Sequence, residues 1–135
     1  MMAAAQASIS NAIKAAKSGG SPAIVAYITA GFPTKESFID LLNRVGTAAD
    51  VIEVGVPFTD PMADGTTIQR SSRAALAQGV SLTWILEQLT AAREKPGSPI
   101  LLMSYLNPLL AFGLEKLPKV AAEAGVSGFI VPDLP

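Results

Sequence analysis

Apolar residues recur along the chain with two alternating periods. Residues 8–18 place Ile9, Ala12, Ile13 and Ala16 at helical spacing, with Ser8 as the expected N-cap and Gly19-Gly20 as the stop, which predicts a short capping helix. An unbroken apolar run from Ala23 to Thr29, bounded by Pro22 and Gly31, reads as a strand buried on both faces. A helix opening at Thr34 carries Phe38, Ile39, Leu42 and Val45 on one stripe and ends near Gly46. A short strand over 50–55 leads into a loop rich in Pro, Gly and Asp, VPFTDPMADG. Helix is predicted from Thr66 to Gln78, and Ser81 caps another that runs to about Arg93, with Trp84, Ile85, Gln88 and Leu89 available to pack. A third buried strand covers Pro99 to Tyr105, and Asn107-Pro108 is expected to turn. A helix from about Leu114 to Glu123 tolerates Pro118 only near its first turn, and the fourth strand begins at Gly128.

Four strands, each separated by helical sequence, predict an α/β fold of parallel β/α units. Four units are about half of a (β/α)8 TIM barrel, which takes around 250 residues. The expectation is therefore a half-barrel with an N-terminal capping helix, residues 1–135 forming a single domain and the C-terminal half lying outside them. A flavodoxin-like open sheet is the structural rival. Four parallel strands alone leave two unpaired edges and one uncovered face, so a missing half-barrel or a second copy of the chain is an expected partner.

Composition narrows the chemistry. Half of the 135 residues are hydrophobic and 16% are charged, as in one globular domain. The chain has neither His nor Cys, which excludes a Cys or His nucleophile, the usual triad base, a zinc cage and a disulfide. No metal site is expected, and proton transfer falls to carboxylates, Lys or Tyr. The net charge of -1, with Lys and Arg scattered singly, offers nothing to neutralise a nucleic-acid backbone or hold an anionic membrane. MMAAAQASIS lacks a secretory signal's basic and apolar regions, and no apolar stretch approaches the roughly 18–20 residues that span a bilayer. A cytoplasmic protein is expected, with the plastid stroma as the alternative.

Glu53 lies inside an otherwise apolar strand and is expected at its carboxyl end, where parallel α/β folds assemble their sites. One reading is a Glu salt-bridged to a nearby Lys or filling a barrel layer. The other is a general acid/base, its pKa raised toward neutrality by apolar surroundings. Asp60 and Asp64 follow in the loop; each alone is explained by turn chemistry, and Asp64 also suits the N-cap or pre-cap position of the next helix. Tyr105 and Asn107 follow the third strand and Asp133 the fourth, so polar groups recur at one rim after three successive strands. Neither a P-loop nor a G-x-G-x-x-G string is present to cradle phosphate.

The segment ADVIEVGVPFTDPMADGTTIQ (49–69) resembles the signature of the tryptophan synthase α-chain family, reinforced by YITAGFP (27–33), LLMSYLNPLLAFG (101–113) and GVSGFIVPDLP (125–135) in the family's order. The resemblance implies a (β/α)8 barrel that cleaves indole-3-glycerol phosphate to indole and glyceraldehyde 3-phosphate, a lyase step of tryptophan biosynthesis. By that match Glu53 delivers a proton to the indole ring carbon and Asp64, on a mobile loop, accepts the indole N–H and stabilises the charge that develops there. Tyr27, Met103 and Tyr105 line the indole pocket. Asp60, Pro61, Asn107, Pro108 and Asp133 face the tryptophan synthase β chain, which carries pyridoxal phosphate; no cofactor is implied on this chain. Ala26, Phe32 and Thr66 stand where the family usually has Pro, Asp and Pro. The family's phosphate loops follow its seventh and eighth strands, so the 135 residues alone are expected to be inactive or nearly so. The competing expectation is a non-catalytic half-barrel that associates through its strand edges, and a phosphoribosyl isomerase is disfavoured because the first strand ends in Thr29-Ala30-Gly31 rather than Asp.

Overall fold

A computed structural model describes the backbone from residue 2 to residue 135 and the side chains from Ser8 onward. Helices and strands alternate as α1 (Met2–Ser18), β1 (Val25–Thr29), α2 (Phe38–Gly46), β2 (Val51–Gly55), α3 (Thr66–Ala77), α4 (Leu82–Ala91), β3 (Ile100–Met103), α5 (Leu106–Phe112), α6 (Leu117–Glu123) and β4 (Val126–Ile130). The four strands form one parallel sheet in the order β1-β2-β3-β4, as the alternation predicts.

Three expectations need correcting. Helix α1 begins at Met2, well before Ser8, because the alanine-rich start of the chain favours helix without any apolar stripe to announce it. Ser8 is therefore helix interior rather than N-cap, and its hydroxyl lies 3.4 Å from that of Ser127 in β4. Asn107-Pro108 is not a turn but part of the first turn of α5, where the amide that proline lacks would have had no helical partner. Strand β1 is not buried on both faces: it is a sheet edge, with Val25 49% exposed. At the opposite edge, Ile130 of β4 is 38% exposed. Pro118 does occupy the first turn of α6, and the Ser81 hydroxyl does cap α4 by accepting from the Trp84 N–H at 3.1 Å.

One sheet face is dry. Ile52, Val54, Ile100 and Leu102 point into helices that contribute Phe38, Leu42, Ala75, Ile85, Leu86 and Leu89, all buried. Each large side chain moved there from water contributes about 1.5–3 kcal/mol, which is what holds four short strands flat against their helices. The pleat sends alternate residues to the other face. There the register sets Tyr27, Glu53, Leu101 and Gly128 in one row and Thr29, Gly55, Met103 and Ile130 in the next. Ile9 of α1 packs against the Leu101–Gly128 end of the first row: a Cβ on Gly128 would lie 3.5 Å from Ile9 Cδ1 and 3.0 Å from Leu101 Cδ2. No helix among the described residues is long and apolar enough to cross a membrane.

Candidate active site

Glu53 is the third of the five β2 residues, short of the strand's carboxyl end, and it rises from the sheet face opposite the buried helical layer, the face whose Leu101–Gly128 end Ile9 of α1 covers. It makes no hydrogen bond or ion pair with the described residues, where the only salt bridge joins Arg44 and Asp40 on the outside of α2. The salt-bridged reading of Glu53 finds no cation among the described residues. Partial removal from water, uncompensated, raises its carboxyl above the ordinary range.

Two residues on, Gly55 has no side chain, and the Tyr27 ring fills the space above it. A Cβ at position 55 would run into the Tyr27 hydroxyl and lie 2.5 Å from Cζ and 2.8 Å from Cε2. The phenol is thereby laid across the carboxyl end of β2. Burial raises its pKa, a hydrogen bond from Thr29 at 3.5 Å opposes this, and the charges of Asp64, Glu53 and Tyr105 raise it further. One phenol thus lies within electrostatic reach of both Glu53 and Asp64. Behind Tyr27, Thr29 is tied to Ser71 of α3 through a 2.6 Å hydroxyl contact.

Asp64 sits at the end of the loop over 56–65, just ahead of Gly65, the α3 cap residue, so of its two sequence roles the pre-cap is the one observed. Burial raises its carboxyl, and the nearby Tyr105 hydroxyl acts in the opposite direction. The loop is anchored at several points. The Ser72 hydroxyl accepts from the Phe58 N–H at 3.0 Å and donates to the Phe58 carbonyl at 3.3 Å. The Phe58 ring stacks on Tyr105 with centroids 5.4 Å apart, the Ala63 N–H donates to the Tyr105 hydroxyl at 2.9 Å, and Gln69 Nε2 donates to the Asp64 carbonyl at 2.8 Å. Tyr105 itself is only 4% exposed, and its hydroxyl is engaged with the loop. Met103 is half-buried in the row of Gly55.

The rim residues divide. Asp60, Asn107 and Asp133 line, with Phe58, Met62 and Tyr105, a cleft of about 350 Å³, at whose edge Met62 is 93% exposed. Pro61 and Pro108 are half-buried beside it and do not line it. Asp133 also has a local structural role, since its carboxylate accepts from the Leu106 N–H at 2.9 Å and so satisfies the first amide of α5. Among the described residues no cluster of three or more carboxylates is placed to hold a metal ion. Ser72, Gln69 and Ser71, which hold the loop and β1, carry no mark in the sequence because uncharged polar residues on a helix read as solvated surface.

The family model for the tryptophan synthase alpha chain matches residues 13–135. The chain is 48% identical over 124 residues to the tryptophan synthase alpha chain of Nitratidesulfovibrio vulgaris, covering 91% of this chain and 48% of that one. It is 49% identical over 130 residues to the counterpart of Citrifermentans bemidjiense, covering 94% and 48%. Among solved structures, the tryptophan synthase alpha subunit of Legionella pneumophila superposes with a TM-score of 0.86 at 37% identity, covering 94% of this chain and 49% of that one. A chain of Mycobacterium tuberculosis tryptophan synthase gives 0.85 at 32% identity, covering 93% and 51%. The chain thus spans about half the length of the curated relatives it matches. With its parallel β/α units, its signature loop after β2 and these matches in hand, the chain belongs to the tryptophan synthase α-chain family.

Proposed function

We propose that this chain supplies the acid/base half of an indole-3-glycerol-phosphate lyase in tryptophan biosynthesis. The observation that carries the reading is Glu53: a carboxyl with no cation partner among the described residues, set in register beside Tyr27 on the sheet face opposite the buried helical layer and raised by its partial loss of water. In its neutral form Glu53 gives its proton to the ring carbon that bears the glycerol phosphate chain. The positive charge left on the ring nitrogen is stabilised by Asp64, which accepts the N–H. The C–C bond then breaks as the neighbouring hydroxyl becomes the aldehyde of glyceraldehyde 3-phosphate, and its proton returns to Glu53. Tyr27 and Met103 present the surface on which the indole lies, with Tyr105 supporting the loop from behind.

Asp60, Asn107 and Asp133, with Pro61 and Pro108 beside them, form the face that meets a pyridoxal-phosphate-bearing β chain, to which indole passes; no cofactor is assigned to this chain. The phosphate is gripped by groups outside these 135 residues, so the chain alone releases indole at or near background. The test is to mix it with a separately produced complementary half-barrel from a relative and to follow indole release. Release that appears only in the mixture supports the reading. A non-catalytic assembly role is the second reading, favoured by the exposed edge residues Ile24, Val25, Phe129 and Ile130. An unchanged background in the mixture, with association of the halves intact, would establish that role instead.

A further inference from the structure

The loop over 56–65 has no secondary structure of its own and carries the exposed Thr59, Asp60 and Met62, yet both of its ends are fastened. A serine or threonine inside a helix ordinarily turns its hydroxyl to a carbonyl one turn back, as Ser71 does to Ile68 and Thr90 to Leu86. Ser72 does otherwise. It is 4% exposed, and its hydroxyl serves the N–H and the carbonyl of Phe58, fourteen residues earlier, as a neighbouring strand would. With Phe58 so pinned, its ring is held against Tyr105, whose hydroxyl takes the Ala63 N–H beside Asp64.

We infer that Ser72 is a positioning residue for Asp64, acting through Phe58 and Tyr105. This rests on the assignment of Asp64 to the site proposed above, but its test requires no turnover, so a failed indole assay and a failed test of Ser72 are separate results. The measurement is amide exchange and carboxyl titration by NMR on the full chain, in wild type, Ser72→Ala and Tyr105→Phe. In Ser72→Ala the amides of Phe58 and Ala63 exchange about tenfold faster or more, those of Val54 and Leu102 keep their protection, and the Asp64 carboxyl titrates closer to its ordinary value. In Tyr105→Phe the Ala63 amide accelerates while Phe58 stays protected. The inference is overturned if Ser72→Ala loosens Phe58 but leaves Ala63 and Asp64 as in wild type, or if Val54 and Leu102 accelerate equally, which would make Ser72 a support of the whole fold. Should Ser72→Ala fail to fold, an unchanged Ala63 amide in Tyr105→Phe overturns it, because the link to Asp64 runs through that hydroxyl.

Discussion

A carboxyl group held partly out of water and left without a cation binds its proton more tightly in the folded chain than in the unfolded one. Glu53 and Asp64 are both raised in this way, so their contribution favours the fold at low pH and is lost as pH rises through their folded values. Glu53→Gln, which keeps the shape and removes the titration, is expected to raise Tm at pH 7 by at most a few degrees, since the group is partly solvated, and to change it little near pH 3. Thermal melts at both pH values check this, and a destabilisation at pH 7 would show that the charge is stabilised after all. Gly55→Ala forces Tyr27 from its place and is expected to cost about 1–3 kcal/mol in urea unfolding. Adding Tyr27→Leu should recover part of that loss, so that the two changes are non-additive. At this scale the sequence singles out Glu53 as a candidate, because a charge within the otherwise apolar VIEVG is unusual, although a barrel layer also accommodates one. It conceals Ser72, because nothing in a helical SSR string says which hydroxyl turns inward to meet a loop.

Elements are legible where a local signal and the packing agree. Ser81 ahead of an apolar stripe predicts the start of α4, and its hydroxyl makes the expected cap; Ser81→Ala should cost about 1 kcal/mol. The β1–α2 connection depends on a residue that local rules treat as a helix end. Gln78 accepts from the Lys35 N–H at 3.0 Å and donates from Nε2 to the carbonyls of Pro33 at 3.0 Å and Ala74 at 3.1 Å, tying the end of α3 to the loop after β1. Gln78→Leu leaves these backbone groups without their partner and is expected to cost about 1–3 kcal/mol, read as a lower urea midpoint with an unchanged slope. A loss no greater than that of Ser81→Ala would mean that the loop finds other partners. The misread elements have physical causes: alanine extends α1 without periodicity, and a proline that would break a helix interior sits harmlessly in the first turn of α5.

At the scale of the molecule, the alternation of strands and helices is enough to predict parallel order, and the observed β1-β2-β3-β4 sheet follows it. Periodicity alone does not separate a half-barrel from an open sheet, since both use the same units; the signature from 49 to 69 does, and the matches to half of each relative agree with it. The edges of that sheet carry apolar side chains and unpaired backbone, so the isolated chain is expected to associate as its concentration rises, and placing Lys at Val25 and Ile130 should shift sedimentation back toward 13.9 kDa. The central claim concerns chemistry rather than assembly: Glu53 moves the proton that lets the ring leave. It is tested most directly by single-turnover indole release from the chain combined with a complementary half-barrel, comparing wild type with Glu53→Gln. A fall of about 10²–10⁴-fold in the rate, with substrate affinity kept within a few-fold, is the predicted result. Release by Glu53→Gln at the wild-type rate would contradict it.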